Sequence, residues 1–326
     1  MKKFLLLLTT FIFTLSLFGC NIRQDYDIVT TLFPQYDFAR QIVGGKLTVG
    51  LLIPPGVEAH GYEPTSGNII TVNNSKLFIY TSDVMEPWAS SLLTETTDTI
   101  VLNLGEHINP DGELHNHSVE TSTVGGNGVI TRLADIHDHD ENDPHYWVDL
   151  VIAMQMIDVI LEHIIEIDPE NADYYIYRAE LYYHEIEELH LAIDEYMHSI
   201  PVEHREIYHA GHVNMAYFSA RYHMTVHSLT EEYAPDGDPT SSQISSMIEE
   251  IKLSGVKYLF YEELVTPRVA NTIKTELKIQ NYSVNLLLFH GAHNVSSTYF
   301  KNKTSYLEIM RSNFINLKIA LDEYVE

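Results

Sequence analysis

Two periodicities alternate along the chain. Asp27 to Leu32 (DIVTTL) is β-branched and apolar enough for a buried strand. A helix is expected from Tyr36 to Val43, stopped by Gly44-Gly45, and Lys46 to Ile53 (KLTVGLLI) reads as a second strand broken by Pro54-Pro55-Gly56. Thr65 is a good N-cap for a helix reaching about Asn74, and Lys76 to Thr81 (KLFIYT) is a third short strand. Strands alternating with helices predict parallel βαβ units, hence an α/β fold.

Residues 105 to 142 break the alternation. They carry His107, His115, His117, His137 and His139 among Gly, Asn, Asp and Ser, with Gly125-Gly126-Asn127-Gly128 in the middle, and read as an exposed loop. From Asp149 the chain turns helical. Asp168-Pro169 opens a longer run to about His198, with Tyr174, Tyr177, Ala179, Leu181, Ile186, Leu189, Ile193 and Tyr196 at near-helical spacing. The alternation then resumes: strands at 206–210, 225–229, 257–261 and 283–289, helices at 215–222, 241–254 and 267–277, and an amphipathic helix from Tyr306 to Val325. The expected organisation is an N-terminal α/β lobe at 27–167, a connector helix at 168–199 and a C-terminal α/β lobe at 200–326, with both sheets parallel and a site in the cleft between lobes.

The first twenty residues add a location. Lys2 and Lys3 precede an apolar stretch from Phe4 to Phe18, followed by Gly19 and Cys20, the one cysteine of the chain. The stretch is short for a mature membrane helix and reads as a signal peptide at 1–19. A single cysteine excludes an internal disulfide and a multi-cysteine metal site. Residues 20–26 then form a polar tether.

Charge narrows the partners. With 19 Lys plus Arg against 46 Asp plus Glu, the chain of 326 residues carries −27, and −29 once 1–19 are removed. Such a field disfavours nucleic acid and anionic lipid and favours cations.

Ligands of open parallel sheets bind beyond the C-terminal strand ends. His60 follows the strand at 46–53, His145 precedes the helix that opens at Asp149, His212 follows the strand at 206–210, and His290 with its neighbour His293 follows the strand at 283–289. Two positions fall in each lobe. Imidazoles with at most one carboxylate suit Zn²⁺, whereas Ca²⁺ and Mg²⁺ want oxygen.

Over nearly the whole mature chain the sequence resembles the metal-receptor lipoproteins of bacterial ABC importers, which include zinc and manganese substrate-binding proteins. The likeness is carried by TTLFPQYDFARQIVGG at 30–45, LLIPPGVEAHGYEPT at 51–65, LFIYTSDVMEPW at 77–88, DPHYWVDL at 143–150 and DPENADYY at 168–175. It continues through GHVNMAYFSARY at 211–222, LFYEELVTPRVANTI at 259–273 and SYLEIMRSNFINLKIAL at 305–321. The resemblance implies a metal held between two lobes and delivered to a membrane permease, a monomer, and lipidation of Cys20 on the outer face of the cell membrane. It puts His60, His145 and His212 at the first three ligand positions. A His at the third goes with zinc receptors and a Glu with manganese receptors. The fourth ligand of the family is usually a carboxylate after the last strand. Here the chain has Phe289-His290-Gly291-Ala292-His293, so His290 is the expected ligand, with His293 and Glu262 as alternatives. The resemblance also gives the loop histidines an auxiliary, weaker metal role.

Other residues carry plainer expectations. Trp147 is expected to serve core packing alone. His184 and His190 read as solvated, His209 as a core residue or one supporting the site, and His223 and His227 as not sharing a helical face. Two rival functions remain on sequence grounds. A zinc hydrolase would use Glu262 as base, although no HExxH occurs. An adhesin-type surface lipoprotein would keep a structural metal.

Overall fold

The computed structural model describes residues 25–325 except 60, 95–96, 110–142, 213, 230–238 and 265–266. The signal segment, Cys20, His60, His115, His117, His137 and His139 lie outside the described residues.

The first lobe is built on a parallel sheet of β1 (Ile28–Thr30), β2 (Val49–Leu51), β3 (Leu77–Tyr80) and β4 (Ile100–Asn103), in the order β2-β1-β3-β4. Ile28 lies opposite Val49 on one side and Leu77 on the other, and Leu77 opposite Ile100. β3 is buried throughout, as the central strand of a sheet covered on both faces must be. Sequence reading placed no strand at β4, although Ile100-Val101-Leu102 is β-branched and apolar.

The second lobe repeats the design with β5 (Glu206–His209), β6 (Thr225–Ser228), β7 (Tyr258–Tyr261) and β8 (Asn285–Leu288), in the order β6-β5-β7-β8. In both sheets the chain leaves the first strand toward one edge and then crosses to the other. The first and third strands of each lobe therefore diverge at a topological switch point, where a crevice forms beyond their C-terminal ends.

Helices cover the sheets. In the first lobe these are α1 (Phe33–Val43), α2 (Ser66–Asn73) and α3 (Leu150–Ile167). α1 starts three residues before the expected Tyr36: Pro34 suits a first turn, and the Gln35 side chain accepts the Leu32 N–H at 2.8 Å. It ends at Gly44, whose φ of 53° is the left-handed conformation a helix C-terminus favours. Thr65 caps α2 through the Asn68 N–H, as the sequence suggests. α3 buries a broad apolar face, from Leu150 through Met156, Ile157 and Ile160 to Ile164, and leaves Glu162 exposed on the other side.

Pro169 then separates α3 from α4 (Ala172–His198), a helix of 27 residues and so about 40 Å long. Beyond α4 come α5 (Ala216–Arg221), α6 (Ser241–Ser254), α7 (Arg268–Ile279), α8 (Ser297–Lys301) and α9 (Tyr306–Leu321). α9 packs on α1, α4 and β8, spanning both lobes. Buried Asp37 on α1 ties this junction, accepting the Tyr182 hydroxyl of α4 at 2.7 Å and the Tyr306 N–H of α9 at 2.9 Å. One continuous apolar core consequently runs from Ile28 through α3 and α4 to Phe289 and Leu321.

α4 corrects one expectation. His190 is buried rather than solvated, with its Nδ1 2.9 Å from the Tyr222 hydroxyl beyond α5, so it joins the connector to the second lobe. His184 is exposed beside Glu187.

Candidate metal centre

The switch point of the second lobe places His212 and Glu262 together, because one follows β5 and the other follows the neighbouring β7. Glu262 Oε1 accepts the His212 backbone N–H at 2.5 Å and its ring Nδ1–H at 2.8 Å. A carboxylate offers only lone pairs, so the neutral ring keeps its proton on Nδ1 and its lone pair on Nε2. Burial alone would raise the Glu262 pKa. Hydrogen bonds and charge from His212, with the charge of His209, outweigh it and hold Glu262 below the usual carboxylate value. Gly211 is required for this contact: a Cβ there would lie 1.7 Å from Glu262 Oε1.

The first lobe builds the same device from DPHYWVD. Asp143 Oδ1 accepts the His145 backbone N–H at 2.9 Å and its ring Nδ1–H at 2.8 Å, again directing the Nε2 lone pair away from the acid. Burial, only partly opposed by Asp143, lowers the His145 pKa and favours the neutral ring that a metal needs. The rings of His145 and His212 stand 5.3 Å apart between centroids, one from each lobe.

The remaining members of DPHYWVD fix that geometry. Asp149 caps α3 through the Val151 N–H at 2.8 Å and pairs with Arg221 of α5 at 2.9 Å across the lobes. Trp147 does more than pack. Its indole N–H donates to the Gly291 carbonyl at 2.7 Å, and its own carbonyl accepts the Tyr306 hydroxyl at 2.6 Å.

The segment after β8 lies between the lobes. Phe33 N–H donates to the His293 carbonyl at 3.1 Å, and the Asn294 amide donates to the carbonyls of Pro54 and Val57 at 2.9 and 2.8 Å. His290 and His293 flank buried Glu263, with Nδ1 to Oε1 separations of 3.3 and 3.2 Å. The other Glu263 oxygen accepts the Gly291 N–H at 2.8 Å.

The two histidines are otherwise unlike. His290 Nδ1 accepts the Ala292 N–H at 3.0 Å, and its ring is stacked on Tyr299. His293 Nε2 lies 3.4 Å from Glu58 Oε1, in the loop that contains His60, and its charge reaches His145. Burial would depress the His293 pKa, but Glu263 and Glu58 raise it to about 10. His209, fully buried at the end of β5, lies near enough to Glu262, Glu263 and His212 to feel their charges.

Among the described residues no three His, Cys, Asp or Glu side chains converge as a metal cage. His145 and His212 face each other, Glu262 holds His212, and His293 lies near enough to His145 for its charge to be felt there, while the His290 ring, also beside Glu263, stacks on Tyr299. Sequence reasoning missed Asp143, Glu58 and Glu263. Asp143 was signalled by its place two residues before a histidine, and Glu263 by following a strand at a switch point. Asn294 carried no comparable signal.

Comparison with known proteins follows the same line. The family model described as ZnuA, zinc-uptake complex component A, periplasmic, matches residues 28–320. The zinc-binding lipoprotein AdcA of Streptococcus pneumoniae is 25% identical over 99% of this chain, which spans 62% of AdcA's length. The high-affinity zinc uptake system protein ZnuA of Bacillus subtilis is 26% identical over 90% of this chain and 87% of its own. The crystal structure of the metal-dependent lipoprotein YcdH from Bacillus subtilis superposes with a TM-score of 0.70 at 25% identity, covering 90% of this chain and 98% of that one. With the matched region running through both lobes and the connector, the chain belongs to the ZnuA family of periplasmic zinc-uptake components.

Proposed function

We propose that this protein is an extracytoplasmic receptor that captures Zn²⁺ between its lobes and hands it to an ABC permease. The observation that carries the reading is the pairing of His145 and His212, one from each lobe. Each is locked by its own carboxylate with Nδ1 protonated and stands 5.3 Å from the other. Histidines oriented by carboxylates in this way are the usual form of imidazole ligation. The zinc-binding names of AdcA and the Bacillus subtilis ZnuA support zinc as the cargo. A set of imidazoles also favours zinc over manganese by ligand softness.

The ligands of this reading are His60, His145, His212 and a fourth from the segment after β8. His293 suits that place better than His290. Glu263 can orient its Nδ1, its Nε2 lies on the side of the His60 loop, and its charge is felt at His145. Glu263 then supplies the negative charge that a carboxylate ligand would have brought. Glu262, the base a hydrolase would need, is spent on His212. We further propose that Cys20 carries a lipid anchor at the outer face of the cell membrane, in keeping with Leu17-Phe18-Gly19-Cys20 after the apolar stretch, and that the receptor works as a monomer, as the family resemblance implies.

Zinc affinities of His290→Ala, His293→Ala and Glu262→Ala, measured side by side by competition with a chelator, test the assignment. His293→Ala should lose about 100-fold or more, and Glu262→Ala about 10- to 100-fold as an orienting residue. Near-native affinity for His293→Ala with a large loss for His290→Ala would return the fourth place to His290.

A further inference from the structure

One pair of histidines lies outside the cleft. His107 follows β4, and His163 lies on α3, thirteen residues beyond its start and so about 20 Å along the helix from the cleft end. Their rings stand 5.8 Å apart at 74°. With metal–nitrogen bonds of about 2 Å, two imidazole centroids sharing a tetrahedral ion are about 5 to 6 Å apart, so the observed spacing already fits.

The His163 ring is held in place, and so is the backbone that carries His107. His163 Nδ1 lies 2.9 Å from the Val159 carbonyl, which can only accept, so Nδ1 carries the proton and Nε2 the lone pair. The segment bearing His107 is docked on the same helix. Asn109 N–H donates to Gln155 Oε1 at 3.1 Å, Gln155 Nε2 donates back to the Asn109 carbonyl at 3.0 Å, and Ile108 packs against the core. His107 is exposed and His163 half-buried, which leaves the pair open to solvent.

We propose that His107 and His163 form a second divalent-metal site, independent of the cleft, that takes Zn²⁺ or a comparably borderline ion through two imidazoles and water. Two histidines give a weaker site than the cleft set, and exposure lets ions exchange freely. Sequence reading grouped His107 with the loop histidines. The clamp to Gln155 instead makes it part of the framework, partnered by a helix residue that carried no signal of its own.

NMR of the whole mature chain with isotope-labelled histidine tests this, the signals being assigned with His107→Gln and His163→Gln. After one equivalent of zinc, further zinc should move the His107 and His163 signals together. His163→Gln should weaken the His107 response about 10-fold or more, and His107→Gln should do the same to His163. The reciprocal variant decides the matter if one of the two fails to fold. A His163 signal that stays still while other histidines saturate, or a His107 response unchanged by His163→Gln, would overturn the proposal.

Discussion

Gly211 shows how tightly single residues control this centre. A methyl group at 211 would displace the Glu262 carboxylate, which holds both the backbone and the ring of His212. Gly211→Ala should therefore weaken zinc binding by about 10- to 100-fold, the cost of losing a group that orients a ligand, while the far-ultraviolet circular dichroism stays native. Calorimetry showing unchanged affinity would mean that Glu262 does not orient His212 for the ion. At this scale the sequence was only partly legible. The four histidine positions stood out because each follows a strand or opens a helix. The carboxylates that orient them did not, because an acid shows its partner only once the fold brings two loops together, as with Glu58 and His293. Trp147 was misjudged for the same reason: its hydrogen-bond acceptor, Gly291, lies 144 positions away.

The segment after β8 is the element on which pH should act. Enclosed by Glu263 and Glu58, His293 is protonated in the metal-free protein below its raised pKa of about 10. A zinc ion bound there must displace that proton. Since the group is raised, the proton competes more strongly the further the pH falls below that value, so affinity should rise with pH from 6 to 9. Calorimetry in two buffers of different ionisation enthalpy should report about one proton released per zinc at pH 7.5. Heats that do not depend on the buffer would place His293 outside the coordination set. The strands and helices themselves were readable wherever periodicity was strong, as at α4 and β3. β4, as short and as apolar as β3, went unread beside the histidine-rich stretch, and the fold makes it the edge strand of its sheet with Val101 exposed.

Across the whole molecule, both lobes share one strand order, with α3, α4 and α9 forming a common apolar spine. That repetition was legible as two runs of alternating strands and helices, but the share of α9 in both lobes was not, since an amphipathic helix does not name its partners. In the proposed ligand set no residue comes from the stretch at 110–142. Removing residues 110–142 should therefore leave the tightest zinc-binding phase unchanged in calorimetry while reducing the number of weaker ions bound. Loss of the tight phase would make that segment part of the primary site. The central claim, that imidazoles from both lobes hold zinc as cargo, is tested most directly by equilibrium dialysis of the whole mature chain against equal concentrations of zinc and manganese, with the bound metal counted per chain. The expected result is one tightly held zinc with manganese excluded, and its loss when His145 and His212 are both replaced by alanine. Displacement of zinc by manganese, or full zinc retention in the double variant, would contradict it.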